Sequence, residues 1–144
     1  MGDETRIREL LARRVEAMRA GDAEALVADY LPEVVAFTLA PPLRHTAPEV
    51  LDPATMRSWF ATFDSAVDFE MRDLRVEVGG GVAFCHSLNR VSAVPRGGAE
   101  AFQLWFRSTV CLREVDGAWR IAHEHTSTPF HMDGSFSSAV DLTP

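Results

Sequence analysis

The last third of the chain alternates between apolar and polar residues on both sides of one Asp-Gly pair. Apolar residues recur at every second position from Phe102 to Leu112, with one interruption, and the alternation resumes after Asp116 and Gly117. A period of two is typical of a half-buried strand, and Asp-Gly between two such runs favours a tight two-residue turn. The pattern therefore predicts a long β-hairpin over residues 102–129.

The register of this hairpin decides which side chains share a face. A two-residue turn pairs Val115 with Ala118. Counting outward from that pair places four further pairs on one face: Leu112 with Ile121, Val110 with His123, Ser108 with His125, and Phe106 with Ser127. The face is apolar apart from its serines and histidines. Because an unpaired buried polar group costs about 1–3 kcal/mol, this polar cluster is either a structural patch satisfied by its own serines and the backbone or part of a functional pocket. A one-residue bulge would exchange the faces of one strand.

The N-terminal region shows the spacing of an amphipathic helix over residues 4–20, with apolar positions at Ile7, Leu10, Leu11, Val15 and Met18. Arg14 falls on the same stripe, seven residues after Ile7. An arginine there can bury its stem and keep its head in water, or it can place a charge at the edge of a pocket. Gly21 is expected to end this helix.

Two further helices are predicted. Asp22 caps a helix over residues 22–30 that ends before Pro32. Its Tyr30 is the only tyrosine, and it fits either a core ring or a pocket. A third helix opens at Asp52-Pro53 with an aromatic stripe. Within that stripe, Trp59 fits either the core or the wall of an aromatic pocket.

The remaining segments favour strands at residues 34–38, 68–78, 82–94 and 100–114. A proline-rich loop follows the first of these, and its His45 is expected to be exposed. The strand at 82–94 carries two alternating sets of side chains: Val82, Phe84, His86, Leu88 and Arg90 on one face, and Ala83, Cys85, Ser87, Asn89 and Val91 on the other. The pattern leaves open which set faces inward.

Composition excludes several classes of protein. The 144 residues predict a single domain, 1–144, in which residues 130–144 form a C-terminal arm. A net charge of −7 disfavours nucleic-acid binding. No apolar run is long enough for a membrane span, and no apolar leader precedes the first helix, so a cytoplasmic protein is expected. Cys85 and Cys111 fit small strand residues, and no Cys/His spacing indicates a metal site.

Several motifs together resemble one known group of proteins. They are the helix break at Gly21-Asp22, Tyr30, the proline loop, Arg107-x-Thr109, Asp116-Gly-x-Trp119-Arg-Ile and His123-Glu-His125-x-Ser127-x-Pro129. The chain resembles the nuclear transport factor 2-like superfamily, in its SnoaL-like and ketosteroid-isomerase-like branch. The resemblance implies an α+β fold, in which three N-terminal helices pack on a long, curved antiparallel sheet. The sheet would form a cone with an internal pocket.

The resemblance also bears on mechanism. Ketosteroid isomerase uses a carboxylate base opposite a tyrosine and a protonated aspartate, and these positions fall at about Thr38, Arg14 and Val110 here. Threonine is not basic enough for that role and valine donates nothing, so this mechanism is disfavoured. Arg14 can still hold an enolate or a carboxylate. The family placement gives a competing hairpin register, in which Ala122, Glu124 and Thr126 point inward.

The expected function is that of a small-molecule isomerase or cyclase, without cofactor or metal, acting on an apolar substrate such as a polyketide. The predicted catalytic residues are His125 as acid/base, Arg14 as anion holder, and Ser108. The predicted pocket-lining residues are Tyr30, Phe37, Trp59, Phe106, Val110 and His123. The alternative is a non-catalytic module for small-ligand binding or dimeric association. The outer face of the sheet is half apolar, and the resemblance implies that a homodimer buries this face.

Overall fold

The computed structural model describes residues 2–144. These residues fold into helices α1 (Asp3–Ala20), α2 (Ala23–Ala28), α3 (Ala47–Val50) and α4 (Pro53–Phe60), and strands β1 (Tyr30–Phe37), β2 (Asp68–Gly79), β3 (Val82–Ala93), β4 (Phe102–Val115) and β5 (Ala118–Ser127). The α+β class and the order of helices before a long sheet are as predicted. None of the helices in this part of the chain has both the length and the apolarity needed to cross a membrane.

The predicted helix signals act as expected, with one difference. Gly21 ends α1 in the left-handed conformation, with φ 64°, and the Asp22 side chain accepts a hydrogen bond from the Ala25 amide at the start of α2. The second helix is shorter than predicted and ends before Tyr30. Pro32 restricts only Leu31, the residue before it, and Tyr30 instead pairs with Ile121 of β5. Tyr30 consequently opens β1.

The five strands lie in the order β1-β5-β4-β3-β2. The pairs from β2 to β5 are antiparallel, as predicted, but β1 pairs with β5 in parallel. The helices α3 and α4 and the hairpins lie between these two strands in the chain, and a long crossover of this kind permits parallel pairing. The sheet is therefore mixed at one edge.

The β4–β5 hairpin follows the predicted register only near its turn. Val115 pairs with Ala118 and Leu112 pairs with Ile121, as expected. Ala122 is then an extra residue, so Cys111 pairs with His123, Val110 with Glu124, Thr109 with His125, and Ser108 with Thr126. The register predicted for the outer part of the hairpin is thus wrong. A single-residue bulge turns every later side chain of β5 to the opposite face.

Two apolar clusters fill the space between the helices and the concave face of the sheet. The first apolar cluster includes Ile7, Leu10, Leu11, Ala83, Cys85, Val110, Leu112, Trp119 and Ile121. The second apolar cluster joins Val67, Phe69, Val91, Ala93 and Phe106 to Val15, Met18, Trp59, Phe60 and Phe63. The buried face of β3 is therefore the one that carries Cys85, Ser87, Asn89 and Val91.

Residues 130–144 contain no helix or named strand. A single bridge joins Phe130 to Ser138, and Ala139 is buried. Met132 and Phe136 are largely exposed. This segment is the one predicted to form a C-terminal arm.

Candidate active site

Polar side chains occupy the concave face between the two apolar clusters, and we call them the polar belt. Helix α1 contributes one member, which lies between Leu11 and Val15, and β1 contributes Tyr30. The other members lie on β3, β4 and β5, where polar residues interrupt the apolar run of each strand. The members of the polar belt are Arg14, Tyr30, Ser87, Asn89, Ser108, Glu124 and Thr126. A buried polar group must find a partner or face a ligand, so this belt is the candidate site.

Three members of the belt form a connected network. The hydroxyl of Tyr30 donates to Oε1 of Glu124 at 2.5 Å, and Nη2 of Arg14 donates to the same hydroxyl at 3.0 Å. Nη1 of Arg14 donates to the carbonyl of Leu26 at 2.5 Å. The guanidinium also lies 4.9 Å from the centre of the Tyr30 ring. The network joins α1, β1 and β5 at one point inside the cone.

Burial and charge act together on this network. The Arg14 side chain is 14% exposed and the Glu124 side chain 20% exposed. Burial lowers the pKa of Arg14. The Tyr30 hydroxyl and the Glu124 carboxylate together raise this pKa by more than burial lowers it, so the net shift is upward. Burial, followed by the charge of Glu124, raises the pKa of Tyr30 above its ordinary range. Tyr30 therefore remains a neutral donor, and Arg14 remains charged.

Glu124 has one carboxylate oxygen engaged and one free. Its Oε2 lies 3.8 Å from Nη2 of Arg14, which is close enough for charge attraction but too far for a hydrogen bond. No other hydrogen bond within residues 2–144 reaches Oε2. A carboxylate held in this way is oriented by its neighbours and can still accept a proton.

The other belt members lie on neighbouring strands. Ser87, Ser108 and Thr126 are directly opposite one another across β3, β4 and β5. The hydroxyl of Ser87 donates to Oδ1 of Asn89 at 2.8 Å. Ser87 and Ser108 are each 7% exposed, and Asn89 is 5% exposed. Small hydrogen-bonding groups therefore line the floor of the belt beside Glu124.

The structure places five of the predicted site residues on the concave side. Arg14 and Tyr30 contact each other, while Phe106, Ser108 and Val110 lie along the buried face of β4. Trp59 lies on α4 in the second apolar cluster. Its ring centre is 5.3 Å from that of Phe60 and 5.0 Å from that of Phe63.

The other three predicted site residues lie on the outer face. The ring of Phe37 contacts His123 and His125, with centroids 4.8 Å and 5.5 Å apart. Nδ1 of His123 lies 2.6 Å from the Val35 carbonyl, and His125 is exposed. The bulge at Ala122 causes this arrangement. The expected pair of Ser108 with His125 does not form, and the prediction of an inward imidazole is corrected.

Glu124 is not among the site residues predicted from the sequence, because it faces inward only in the competing register of the hairpin. One signal favours that register. Arg14 interrupts an apolar helix stripe, and a guanidinium in such a place needs an internal anion. Within the hairpin segment between Ala118 and Pro129, Glu124 is the only acidic residue. The search for a partner for Arg14 could have identified the bulge.

His45 is buried rather than exposed, and it holds the proline-rich loop against β1. Its backbone exchanges two hydrogen bonds with Ala36, at 2.9 and 2.8 Å. Its Nδ1 lies 2.9 Å from Oε2 of Glu49, and its Nε2 lies 3.0 Å from the carbonyl of Ala40. The Ala40 carbonyl and then the Glu49 carboxylate raise the pKa of His45. Both ring nitrogens face acceptors, which favours the imidazolium.

This arrangement predicts a pH-dependent contribution to stability. Since the pKa of His45 is raised on folding above its ordinary 6.5, the stabilisation is complete below that ordinary value. It is lost as pH rises through the raised pKa. Urea denaturation of wild type and His45→Gln across this range should show their midpoints converging as pH increases. The control, His86→Gln, alters an exposed histidine of β3, and a pH-independent difference for His45→Gln would contradict the prediction.

Residues 7–131 match the SnoaL-like domain family. The match spans most of the chain, so the protein belongs to this family, and the resemblance inferred from the sequence is confirmed. No functionally curated protein matches the sequence significantly.

Solved structures support the same assignment. A nuclear transport factor 2-like protein of unknown function from Pseudomonas putida is 28% identical, with a TM-score of 0.84, covering 100% of this chain and 99% of the other. A candidate dehydratase of that family from Streptomyces avermitilis is 19% identical, with a TM-score of 0.74 and coverages of 88% and 96%. A ketosteroid isomerase-like protein from Erwinia carotovora is 19% identical, with a TM-score of 0.71 and coverages of 88% and 97%. The two weaker likenesses establish the fold alone.

Proposed function

We propose that this protein is a cofactor-independent isomerase or cyclase that acts on a small, mostly apolar molecule such as a polyketide, with Glu124 as its acid/base group. One observation carries the proposal: a carboxylate lies inside the cone, held through one oxygen by Tyr30 and attracted by Arg14, with its other oxygen free. A positioned carboxylate can take a proton from a reacting group or return one to it.

Each member of the network has a separate part. Glu124 takes a proton from a carbon of the substrate and returns it elsewhere. Tyr30 fixes the orientation of the carboxylate by donating to Oε1. Arg14 is a positioning residue, because it donates to Leu26 and Tyr30 and attracts Glu124 by its charge. The role of anion holder that the sequence suggested for Arg14 stays a prediction.

The surroundings of Glu124 favour an apolar substrate. Phe106 and Val110 are each 8% exposed and lie along the same face of β4 as Ser108. A mostly apolar surface with a few polar groups is typical of small-molecule sites. The Streptomyces protein is called a candidate dehydratase and the Erwinia protein ketosteroid isomerase-like, and dehydration and isomerisation both move a proton at carbon. That chemistry is what Glu124 offers here.

The proposal is tested by following deuterium uptake from heavy water. The purified protein is incubated with a panel of compounds that carry an activated C–H bond, namely cyclic ketones, β-keto esters and nitroalkanes. Mass spectrometry then measures the deuterium gained by each compound. We expect uptake above the buffer rate for at least one of them. Uptake at the buffer rate for every compound that binds would contradict an enzymatic role.

The aromatic residues of α4 favour a second candidate function. Trp59 packs against Phe60 and Phe63, and Phe63 packs against Phe102, so these rings fill space in the second apolar cluster. A cone filled in this way suits a module that binds a small ligand without transforming it. Native mass spectrometry that shows bound compounds, together with no deuterium uptake, would favour this alternative.

We also propose that the protein is a homodimer through the outer face of the sheet. Val82 and Phe84 are 53% and 52% exposed on that face, and Phe37 lies on it with His123 and His125. Exposed apolar patches of this kind commonly mark interfaces. Light scattering should give twice the chain mass of 15.9 kDa, and Phe84→Glu should shift the protein toward the mass of one chain. A wild-type mass of one chain would contradict the proposal.

A further inference from the structure

Two arginines on the outer face of the sheet, Arg75 of β2 and Arg107 of β4, have no acidic partner. Within residues 2–144, the side chain of neither forms an ion pair or a hydrogen bond. Three other arginines on the outer face of β2, β3 and β4 each pair with a carboxylate, and these are Arg72, Arg90 and Arg113. The chain has 21 acidic residues, so a shortage of carboxylates does not explain the two unpaired guanidiniums.

A bulge in β2 directs Arg75 to this face. The register of β2 against β3 shifts between Arg72 and Arg75, because Asp73 and Leu74 together take the place of one residue. Without the extra residue, the alternation of β2 would bring Arg75 to the concave face. Asp73 has a positive φ of 58°, which is uncommon for a residue other than glycine, and strained backbone of this kind clusters at ligand sites. Bulges also re-aim side chains, and this one aims Arg75.

Both arginines border one open cavity of about 420 Å³. Its other lining residues are Asp73, His86, Ser87, Leu88, Ser108 and Thr109. Arg75 lies opposite His86, and Leu88 lies opposite Arg107. Adjacent strands are about 4.8 Å apart, so the backbones of Arg75 and Arg107 are about 10 Å apart across the sheet. Since both long side chains line the same cavity, one ligand there can contact both.

The charge of this cavity is opposite to that of the whole chain. The chain has a net charge of −7, whereas the two guanidiniums face a single carboxylate, Asp73, among the described residues that line the cavity. The Thr109 hydroxyl and the His86 ring can donate further hydrogen bonds. A planar guanidinium matches two oxygens of a phosphate group. Leu88 is half-buried in the same cavity and offers an apolar contact beside these donors.

We propose that the cavity binds a small organic phosphate monoester. Arg75 and Arg107 hold the phosphate oxygens, and the organic group contacts Leu88. A phosphate monoester carries up to two negative charges at neutral pH, so it can neutralise both guanidiniums, whereas a carboxylate neutralises one. The volume of about 420 Å³ is within the range of small-molecule sites, about 300–1,000 Å³, and leaves room for the organic group.

This site is separate from the one proposed for catalysis. Glu124 points into the cone, while Arg75 and Arg107 lie on the opposite face of the sheet. Phosphate binding is therefore independent of whether the protein moves protons. The proposed homodimer would bring the arginines of two copies toward each other, and like charges at an interface repel. Bound phosphate groups would reduce that repulsion.

Calorimetry with phenyl phosphate and with inorganic phosphate tests the proposal. The measurements are made at about 0.15 M salt, where attraction between distant surface charges is screened. Wild type should bind phenyl phosphate more tightly than inorganic phosphate, because only the ester contacts Leu88. Arg75→Gln and Arg107→Gln should each weaken phenyl phosphate binding about tenfold or more, since hydrogen bonds to a charged group are lost.

Two further variants make the test specific. Arg113→Gln is the matched control, because it removes the same charge from the same face of β4, outside the cavity, where Arg113 pairs with Glu33. Its affinity should match that of wild type. Asp73→Asn removes the carboxylate from the cavity, and asparagine tolerates a positive φ. This variant should bind phenyl phosphate about threefold more tightly, the effect of one exposed charge, and misfolding cannot produce such a gain.

Three results would overturn the inference. The first is a wild-type protein that does not bind phenyl phosphate. The second is an affinity that Arg75→Gln and Arg107→Gln leave unchanged, or that Arg113→Gln lowers equally. The third is a wild-type affinity for inorganic phosphate that equals the affinity for phenyl phosphate, which would refute the assignment of an ester.

Discussion

Glu124→Gln is expected to lower the rate of deuterium uptake by about 10²–10⁴-fold, which is the range that a positioned acid/base group contributes. The amide has nearly the shape of the carboxylate, and its oxygen can still accept the Tyr30 hydroxyl that now bonds to Oε1 at 2.5 Å. It cannot accept a proton from carbon. The rate should therefore fall while substrate affinity changes little, and kcat rather than KM should carry the effect.

The matched control is Glu33→Gln. Glu33 pairs with Arg113 at the surface, where its side chain is 62% exposed. The same chemical change there should leave deuterium uptake within the error of the wild-type measurement. A Glu124→Gln protein that folds and reacts at the wild-type rate would show that the network does not perform the chemistry.

Arg14→Leu is expected to reduce the free energy of unfolding by about 3 kcal/mol or more. The substitution removes hydrogen bonds to Leu26 and Tyr30 and leaves the mostly buried Glu124 without its positive neighbour. Removal of one partner from a buried ion pair is costly because the remaining charge stays out of water. Urea denaturation followed by circular dichroism measures the change.

The adjacent Arg13 provides the control for this prediction. It is exposed on the same helix, so Arg13→Leu should change stability by only a few tenths of a kcal/mol. The double variant Arg14→Leu with Glu124→Leu should be more stable than Arg14→Leu alone, because it removes the unpaired charge. Equal effects at Arg13 and Arg14 would mean that the network is not a buried ion pair.

The fold was predictable because its signals are local. Gly21, Asp22 and Asp52 end or begin helices through their own backbone and side-chain chemistry. Asp116 and Gly117 have the positive φ values, 52° and 80°, that a two-residue hairpin turn requires. These signals depend on a few neighbouring residues, so they can be recognised without knowledge of the tertiary contacts.

The candidate site was predictable only in part because its side-chain directions depend on distant contacts. Alternation correctly placed Phe106, Ser108 and Val110 together on β4, since that strand pairs regularly with β3. On β5, the extra residue Ala122 reverses the alternation, and no local motif marks it. The bulge is apparent only when Arg14 on α1 and Tyr30 on β1 are seen to converge on Glu124, 110 and 94 residues away respectively.

The central claim is that β5 turns Glu124 into the cone and His125 out of it. Nuclear Overhauser contacts of isotope-labelled protein test this most directly. Our account predicts contacts from the His123 and His125 rings to the Phe37 ring, whose centres lie 4.8 and 5.5 Å away. Contacts from the His125 ring to Phe106 and Ser108 instead would place the imidazole inside and contradict the account.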